Sequence, residues 1–175
     1  MGWMWEYIKK PMTVGAVVPS SRFLVAKMVK PIDFSKAKNI VELGAGTGVV
    51  TKEILRQMRK DAKLTVFEIH PPFVEQLQQL NDRRMDILST PAEQLATHVQ
   101  GADAIISSLP LIAFPKKTVL KILGAVKKSL KPTGTFVQFQ YAPKSRRLLK
   151  EHFSEVSLDF TPLNIPPAFV YRCRP

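Results

Sequence analysis

The stretch "VELGAGTGVVT", residues 41–51, decides how the rest of this 175-residue sequence is read. An apolar run, "NIVEL" (Asn39–Leu43), leads into glycines at 44, 46 and 48, and an amphipathic stretch, residues 47–60, leads out of them. That order predicts a buried strand, a tight turn, and a helix with Val50, Ile54 and Met58 near one face. Glycines at such a turn let the backbone lie flat against a ligand held at the start of the helix. A dinucleotide fingerprint would place its third glycine at position 49, where this chain has Val49, which argues against NAD or FAD.

Outward from the loop, short apolar runs alternate with helical ones. "KLTVFEI" (63–69), "RMDILST" (84–90), "DAIISSL" (103–109) and "GTFVQFQY" (134–141, entered through "KPTG") read as strands. "PPFVEQLQQL" (71–80) and "KKTVLKILGAVKKSL" (116–130) read as helices, the first opening on prolines where a missing N–H is tolerated. Residues 155–175 read as two last strands around a proline-rich loop. The alternation predicts an α/β fold, a doubly wound and mostly parallel sheet with right-handed crossovers around one core. Ligands of such sheets bind beyond the carboxyl ends of the strands. Functional residues are therefore expected in the loops after Leu43, Glu68, Thr90, Ser108 and Tyr141.

The formal net charge is +12. Ten Lys or Arg stand between Asp103 and Glu151 (Lys116, Lys117, Lys121, Lys127, Lys128, Lys131, Lys144, Arg146, Arg147, Lys150) without one acid, so that segment carries +10. Such a field attracts nucleic acid or the anionic face of a bilayer. Cys173 is the single cysteine, which excludes an internal disulfide, and His70, His98 and His152 lack metal-ligand spacing, so no metal is expected. The start lacks the organisation of a secretory signal, and no run reaches the roughly 18 apolar residues of a membrane span. A cytoplasmic chain is expected.

Glu42 precedes the glycines, and Glu68 closes the next strand at the spacing where an acid meets ribose hydroxyls. The G-x-G-x-G form after an acid resembles motif I of the class I S-adenosylmethionine (SAM) methyltransferases. This resemblance implies that Glu42 and the backbone of Gly44, Ala45, Gly46, Thr47 and Gly48 hold the methionine end of the cofactor. Ile69 would lie beside the adenine, and Ser107 joins the cofactor-binding set. Many members end the third strand with an Asp for the adenine amine; "STPAEQL" leaves that contact to backbone near Pro91 and Ala92, or to Ser89 or Thr90.

After the fourth strand, Ser108, Leu109, Pro110 and Leu111 occupy the register of the [N/D/S]-P-P-[Y/F] turn of methyltransferases that act on amino groups. The polar residue and one proline are kept, and the aromatic is not. A leucine gives no stacking platform for an extruded base. The expected acceptor shifts from a planar nucleobase to a non-planar amine on an apolar body; the plain alternative is an ordinary proline turn.

With "VGAVVPSS" (14–21), "VELGAGTG", "SSLPL", "FVQFQY" and "NIPPAFVY", nearly the whole chain is similar to the small soluble bacterial phospholipid N-methyltransferases, which convert phosphatidylethanolamine towards phosphatidylcholine. The resemblance implies a Rossmann-like sheet of class I methyltransferase topology over residues 13–175, SAM as cofactor and S-adenosylhomocysteine (SAH) as product. It also implies an amphipathic helix over residues 1–12 that binds anionic lipid and partly covers the site. On a wheel of about 100° per residue, Glu6, Lys9 and Lys10 share one arc. Trp3, Met4, Trp5, Tyr7 and Ile8 occupy the rest, a composition suited to the headgroup plane, with Lys9 and Lys10 as flanking cations. Closing the core or docking on a partner is the alternative for this segment.

Methyl transfer from a sulfonium asks mainly for alignment. Ser108 and Tyr141 are the catalytic candidates, Tyr141 through its hydroxyl or ring face or else as a packing residue at the sheet end. Leu109, Pro110, Tyr141, Lys144, Arg146 and Arg147 are the substrate-binding candidates, the cations for a phosphate. Partners would be an anionic membrane surface and phospholipid, with no nucleic acid and no obligate protein partner, at the inner face of the cell membrane. The rivals are an rRNA adenine N6-methyltransferase with the basic block on phosphates, and a non-catalytic SAM-fold binding module with a basic surface.

Overall fold

The computed structural model describes residues 20–175. The helix anticipated over residues 1–12, with its membrane candidates Trp3, Met4, Trp5, Tyr7, Ile8, Lys9 and Lys10, lies outside them. The strands are β1 (Asn39–Leu43), β2 (Lys63–Phe67), β3 (Met85–Leu88), β4 (Ala102–Ser107), β5 (Leu130–Gln140), β6 (Glu155–Thr161) and β7 (Ala168–Arg174). They form one sheet in the order β3-β2-β1-β4-β5-β7-β6. Neighbours among β1 to β5 pair in parallel, and β7 inserts antiparallel between β5 and β6. This is the doubly wound, mostly parallel sheet that the alternation of runs predicts.

Helices α1 (Arg22–Val29), α2 (Val49–Gln57) and α3 (Pro71–Gln78) cover one face. The other carries α4 (Leu95–His98), α5 (Lys116–Ser129) and α6 (Arg146–His152). Successive strand residues serve the two layers in turn, because side chains on a strand alternate. Ile40, Ile106 and Val137 join the first layer, while Val41, Ile105 and Phe136 join the second. A strand buried on both faces has no polar alternation, which is why "NIVEL" reads as a continuous apolar run.

Three boundaries differ from the expectation. The helix after the glycines starts at Val49 because Gly48 is its cap at φ 76°, and it ends before Met58, whose backbone is extended. "KPTG" is not an entry turn but part of β5, where the register slips between Ala102 and Ala104 and Lys131 bonds Asp103. Helix α1 was not anticipated. Its Ser21 cap accepts a hydrogen bond from the Leu24 amide at 3.2 Å, and Leu24, Val25, Met28 and Val29 form the buried face.

Candidate active site

Beyond Leu43 and Ser107 the neighbouring strands β1 and β4 hand the chain to opposite sides of the sheet, which opens a crevice at their carboxyl ends. The Ser108 amide donates to the Leu43 carbonyl at 2.9 Å, and the Gly44 amide to the Phe67 carbonyl at 2.8 Å, so the three loops there are sewn together by backbone. At Gly44 φ is +72°, and a Cβ would stand 2.6 Å from Leu109 Cδ2. The left-handed backbone favours glycine here, and any Cβ would also displace the tip of the Leu109 side chain. Gly46 also has positive φ, but a Cβ there would meet no heavy atom within 4 Å. Its upper surface faces open space.

A cavity of about 200 Å³ begins at that surface. Of the expected cofactor residues, Gly44, Gly46, Glu68, Ile69, Pro91 and Ala92 line it, and Ser108, Leu109 and Pro110 of the acceptor turn line its other side. Phe67, Phe73, Glu93 and Phe114, which carry no sequence signal, also line it, as does His70, read from the sequence only as lacking metal-ligand spacing. Glu93 is the first acid after β3, two residues beyond Pro91. A broader depression of about 720 Å³ lies at the β3 edge, around Asp82, Arg83 and Asp86, away from the glycines.

The two motif acids are placed differently from each other. Glu68 sits on the cavity wall with Oε2 accepting from the Gly46 amide and Oε1 from the His70 amide, both at 2.9 Å. It ties the loop after β1 to the loop after β2 and keeps one further lone pair on each oxygen for a ligand. Glu42 is fully buried below the loop and does not reach the cavity wall. The Thr51 hydroxyl donates to its Oε2 at 2.6 Å, while Oε1 is buried without a partner. Burial pushes the Glu42 carboxyl up to about 7; the Thr51 hydrogen bond opposes this and the Glu68 charge adds to it. Ala45 packs into the core, Gly48 caps α2, and Ser107 is buried with its Oγ accepting from the Leu109 amide at 3.3 Å. Neither these three nor Thr47 faces the cavity.

This donor and acceptor set fits SAM. A glycine floor offers bare backbone, Glu68 offers carboxylate oxygens at the β2 end, and Ile69, Pro91 and Phe114 give flat apolar walls. Glu42, which the resemblance assigned to the methionine end, is fully buried with Oε1 unpartnered and off the cavity wall.

The acceptor turn is held from β5. The Leu109 carbonyl accepts from Gln138 Nε2 at 2.9 Å and from Gln140 Nε2 at 3.1 Å, and Gln138 Nε2 donates also to the Phe139 carbonyl at 2.7 Å. Both glutamines are buried and lie two apart, hence on one side of the strand. The sequence signal was present, because two glutamines alternating inside an apolar strand must have partners. "FVQFQY" nevertheless passes as a plain strand until the fold brings Leu109 beside it.

Tyr141 does not line the cavity. It stands at the carboxyl end of β5, exposed, with its ring edge-on to Phe139 at 5.4 Å between centroids. Burial raises the pKa of its hydroxyl, and a hydrogen bond from Asn164 opposes the rise. Lys144, Arg146 and Arg147 are exposed around a separate shallow depression with Pro143. The short turns Leu111–Ala113 and Pro143–Ser145 touch, so these cations occupy the next stretch of the same edge. The fold thus joins Ser108, Leu109 and Pro110 to the glycine loop and leaves Tyr141 and the cations outside that cavity. Among the described residues no cluster of His, Cys, Asp or Glu has metal-holding geometry, and no helix is long and apolar enough to cross a membrane.

Sheet order, glycine floor, strand-end carboxylate and proline turn together define a class I SAM-dependent methyltransferase, as the motifs implied. The model of the methyltransferase domain family matches residues 40–134, and the chain belongs to this family, with SAM as methyl donor and SAH as product. Over 177 aligned residues the chain is 33% identical to ornithine lipid N-methyltransferase of Singulisphaera acidiphila, covering 97% of this chain and 92% of that protein. Among solved structures it resembles the N-methyltransferase NodS of Bradyrhizobium japonicum WM9 in complex with SAH, at TM-score 0.73 and 17% identity over 86% of this chain and 84% of that one. It also resembles precorrin-6y C5,15-methyltransferase of Geobacter metallireducens GS-15, at TM-score 0.71 and 15% identity over 91% of this chain and 92% of that one. These two likenesses concern the fold.

Proposed function

We propose that this chain methylates the amine of a membrane lipid headgroup, with phosphatidylethanolamine or its partly methylated forms as acceptor. The observation that carries this is the Leu109 carbonyl, whose two lone pairs are already taken up by three donors, the Gln138 and Gln140 side-chain amides and the Leu111 backbone amide. A planar base amine would need that carbonyl to orient its hydrogens. An aliphatic amine turns freely about its C–N bond and needs one acceptor, and the Ser108 side chain at the cavity wall is available for it. Leu111, buried in the core where nucleobase enzymes place an aromatic, points the same way. The resemblance to a lipid N-methyltransferase over almost the whole chain supports a lipid acceptor.

SAM supplies a methyl group already activated on a sulfonium. The chain's part is to fix the turn that presents the amine, to keep water off the reacting atoms with Leu109 and Pro110, and to receive the ammonium proton at solvent or at the Glu93 carboxylate. The exposed Lys144, Arg146 and Arg147 beside this edge suit a headgroup phosphate.

The test is incubation of the purified protein with labelled SAM and, separately, phosphatidylethanolamine vesicles, ornithine-lipid vesicles and ribosomal RNA. Label in phosphatidylethanolamine is the expected result. Label in ornithine lipid alone would keep lipid N-methylation and overturn the named acceptor, and label in RNA alone would overturn both.

A further inference from the structure

We infer that the β6–β7 hairpin tip is an insertion loop that seats the active edge of the sheet on an anionic bilayer surface; this rests on the lipid-acceptor reading. Thr161 pairs with Ala168 and Gln140 with Phe169, so the connection 162–167 emerges at the carboxyl end of β5. That is the edge where the glycine loop and acceptor turn also lie. A lipid whose chains stay in the bilayer can present its amine only if this edge meets the membrane.

The tip is built for such contact. Leu163 is 61% and Ile165 81% exposed, Phe160 at the end of β6 is 49% exposed, and Pro162, Pro166 and Pro167 are exposed with them. Between the two aliphatic residues Asn164 turns inward and is only 3% exposed. Its side chain donates to the Pro166 carbonyl at 2.7 Å and accepts from the Ser21 amide at 2.9 Å. The inward asparagine fixes the loop and projects its neighbours out, so their exposure is a property of a pinned conformation. Large aliphatic groups held in water this way mark an interaction surface.

Charge selects the partner. Gln140 pairs with Phe169 at the base of the hairpin, and the next residue, Tyr141, begins the segment that carries Lys144, Arg146 and Arg147, all exposed, whose helix packs on β6. Aliphatic tips beside a basic rim suit the acyl boundary and anionic headgroups of a bilayer, where neither feature alone gives firm attachment. Two exposed acids lie close by in the chain, Asp159 on β6 and Glu151, which pairs with Arg147 at 3.5 Å, and the four exposed cations Lys144, Arg146, Arg147 and Lys150 outnumber them.

The experiment labels Leu163→Cys with an environment-sensitive dye. Cys173, the chain's single cysteine, is buried, and burial pushes its thiol up to about 12, so labelling is specific. With vesicles of phosphatidylcholine and phosphatidylglycerol the emission should shift to the blue and be quenched by spin-labelled lipid, and with pure phosphatidylcholine much less so. Unchanged emission in protein that sediments with the vesicles would overturn the proposal. So would a blue shift that grows with protein concentration in the absence of lipid, which would mean that a second copy covers the tip.

As a second measurement, Leu163→Asp with Ile165→Asp should lower methylation of vesicle lipid by about tenfold or more, with SAM affinity and activity on a dispersed short-chain lipid kept. Equal vesicle activity in this variant would also refute the insertion loop. The two readings fail separately: a wild-type protein that shifts the dye but methylates no lipid sinks the acceptor assignment, and one that methylates vesicle lipid with a silent dye sinks the hairpin.

Discussion

Burial holds the Glu42 carboxyl near a pKa of about 7 against an ordinary value of 4.5, so the folded chain keeps a proton there that the unfolded chain releases at lower pH. The sign follows: the contribution to stability is fully present below the unfolded value and is lost as pH rises through the folded one, between 4.5 and about 7. Glu42→Gln keeps an oxygen for the Thr51 hydroxyl and cannot ionise. Wild type should therefore lose up to about 3 kcal/mol relative to this variant between acid and neutral pH, read as thermal midpoints of both proteins at pH 5 and pH 8. Equal pH slopes would show that Glu42 ionises without penalty. Gln140 acts through a neighbour, as a positioning residue. Gln140→Leu removes one of the three donors on the Leu109 carbonyl and leaves Gln138 and the Leu111 amide in place. The cost in stability should be about 1 kcal/mol. The maximal rate should fall by roughly tenfold because the acceptor turn loosens, with SAM affinity in calorimetric titration unchanged. A rise in KM at constant kcat would instead mean that the glutamine serves lipid binding.

At the scale of elements, the loop between β1 and α2 carries the cofactor floor, and its backbone conformation can be separated from its chemistry. Gly46→Ala places a methyl group where no protein atom lies within 4 Å, at a φ of +53°. Left-handed backbone costs a non-glycine residue about 1–2 kcal/mol, which for a chain of this size lowers the thermal midpoint by about 5 °C. SAM binding should be lost far out of proportion, and retained affinity would move the cofactor off this floor. The loop was legible in advance because glycine spacing after a buried run is a local signal, and the limits of β1 were legible because both its faces are apolar. Helix α1 was not, since "RFLVAKMV" has no charged face and its only start signal is the Ser21 cap. The depth of Glu42 was not legible either: alternation along a strand gives the face of a residue, not its distance from a cavity. The glutamine clamp escaped for a third reason. Its partners are 29 and 31 residues apart in sequence, and no local pattern records a contact that only the β4–β5 pairing creates.

For the whole molecule the question is how a basic segment of +10 is spread in space. Every one of its ten cations is exposed, but α5 runs from the active edge back to the start of β5. Lys116 and Lys117 therefore stand near the site, with Lys144, Arg146 and Arg147, while Lys127 and Lys128 stand at the opposite edge, where Lys131 already bonds Asp103. Five-residue β1 alone spans about 17 Å at ~3.3 Å per residue, twice the screening length of about 8 Å at physiological salt. A membrane touching the active edge should scarcely feel the far lysines. Arg146→Glu with Arg147→Glu and Lys127→Glu with Lys128→Glu change the net charge equally, so co-sedimentation with anionic vesicles discriminates between an overall field and a seated edge. At about 1 kcal/mol per surface cation, the first pair should weaken vesicle binding by about thirtyfold or more, and the second by little. Equal losses in the two variants would mean that net charge alone draws the protein to the bilayer, and the lipid-facing orientation of the sheet would have to be abandoned.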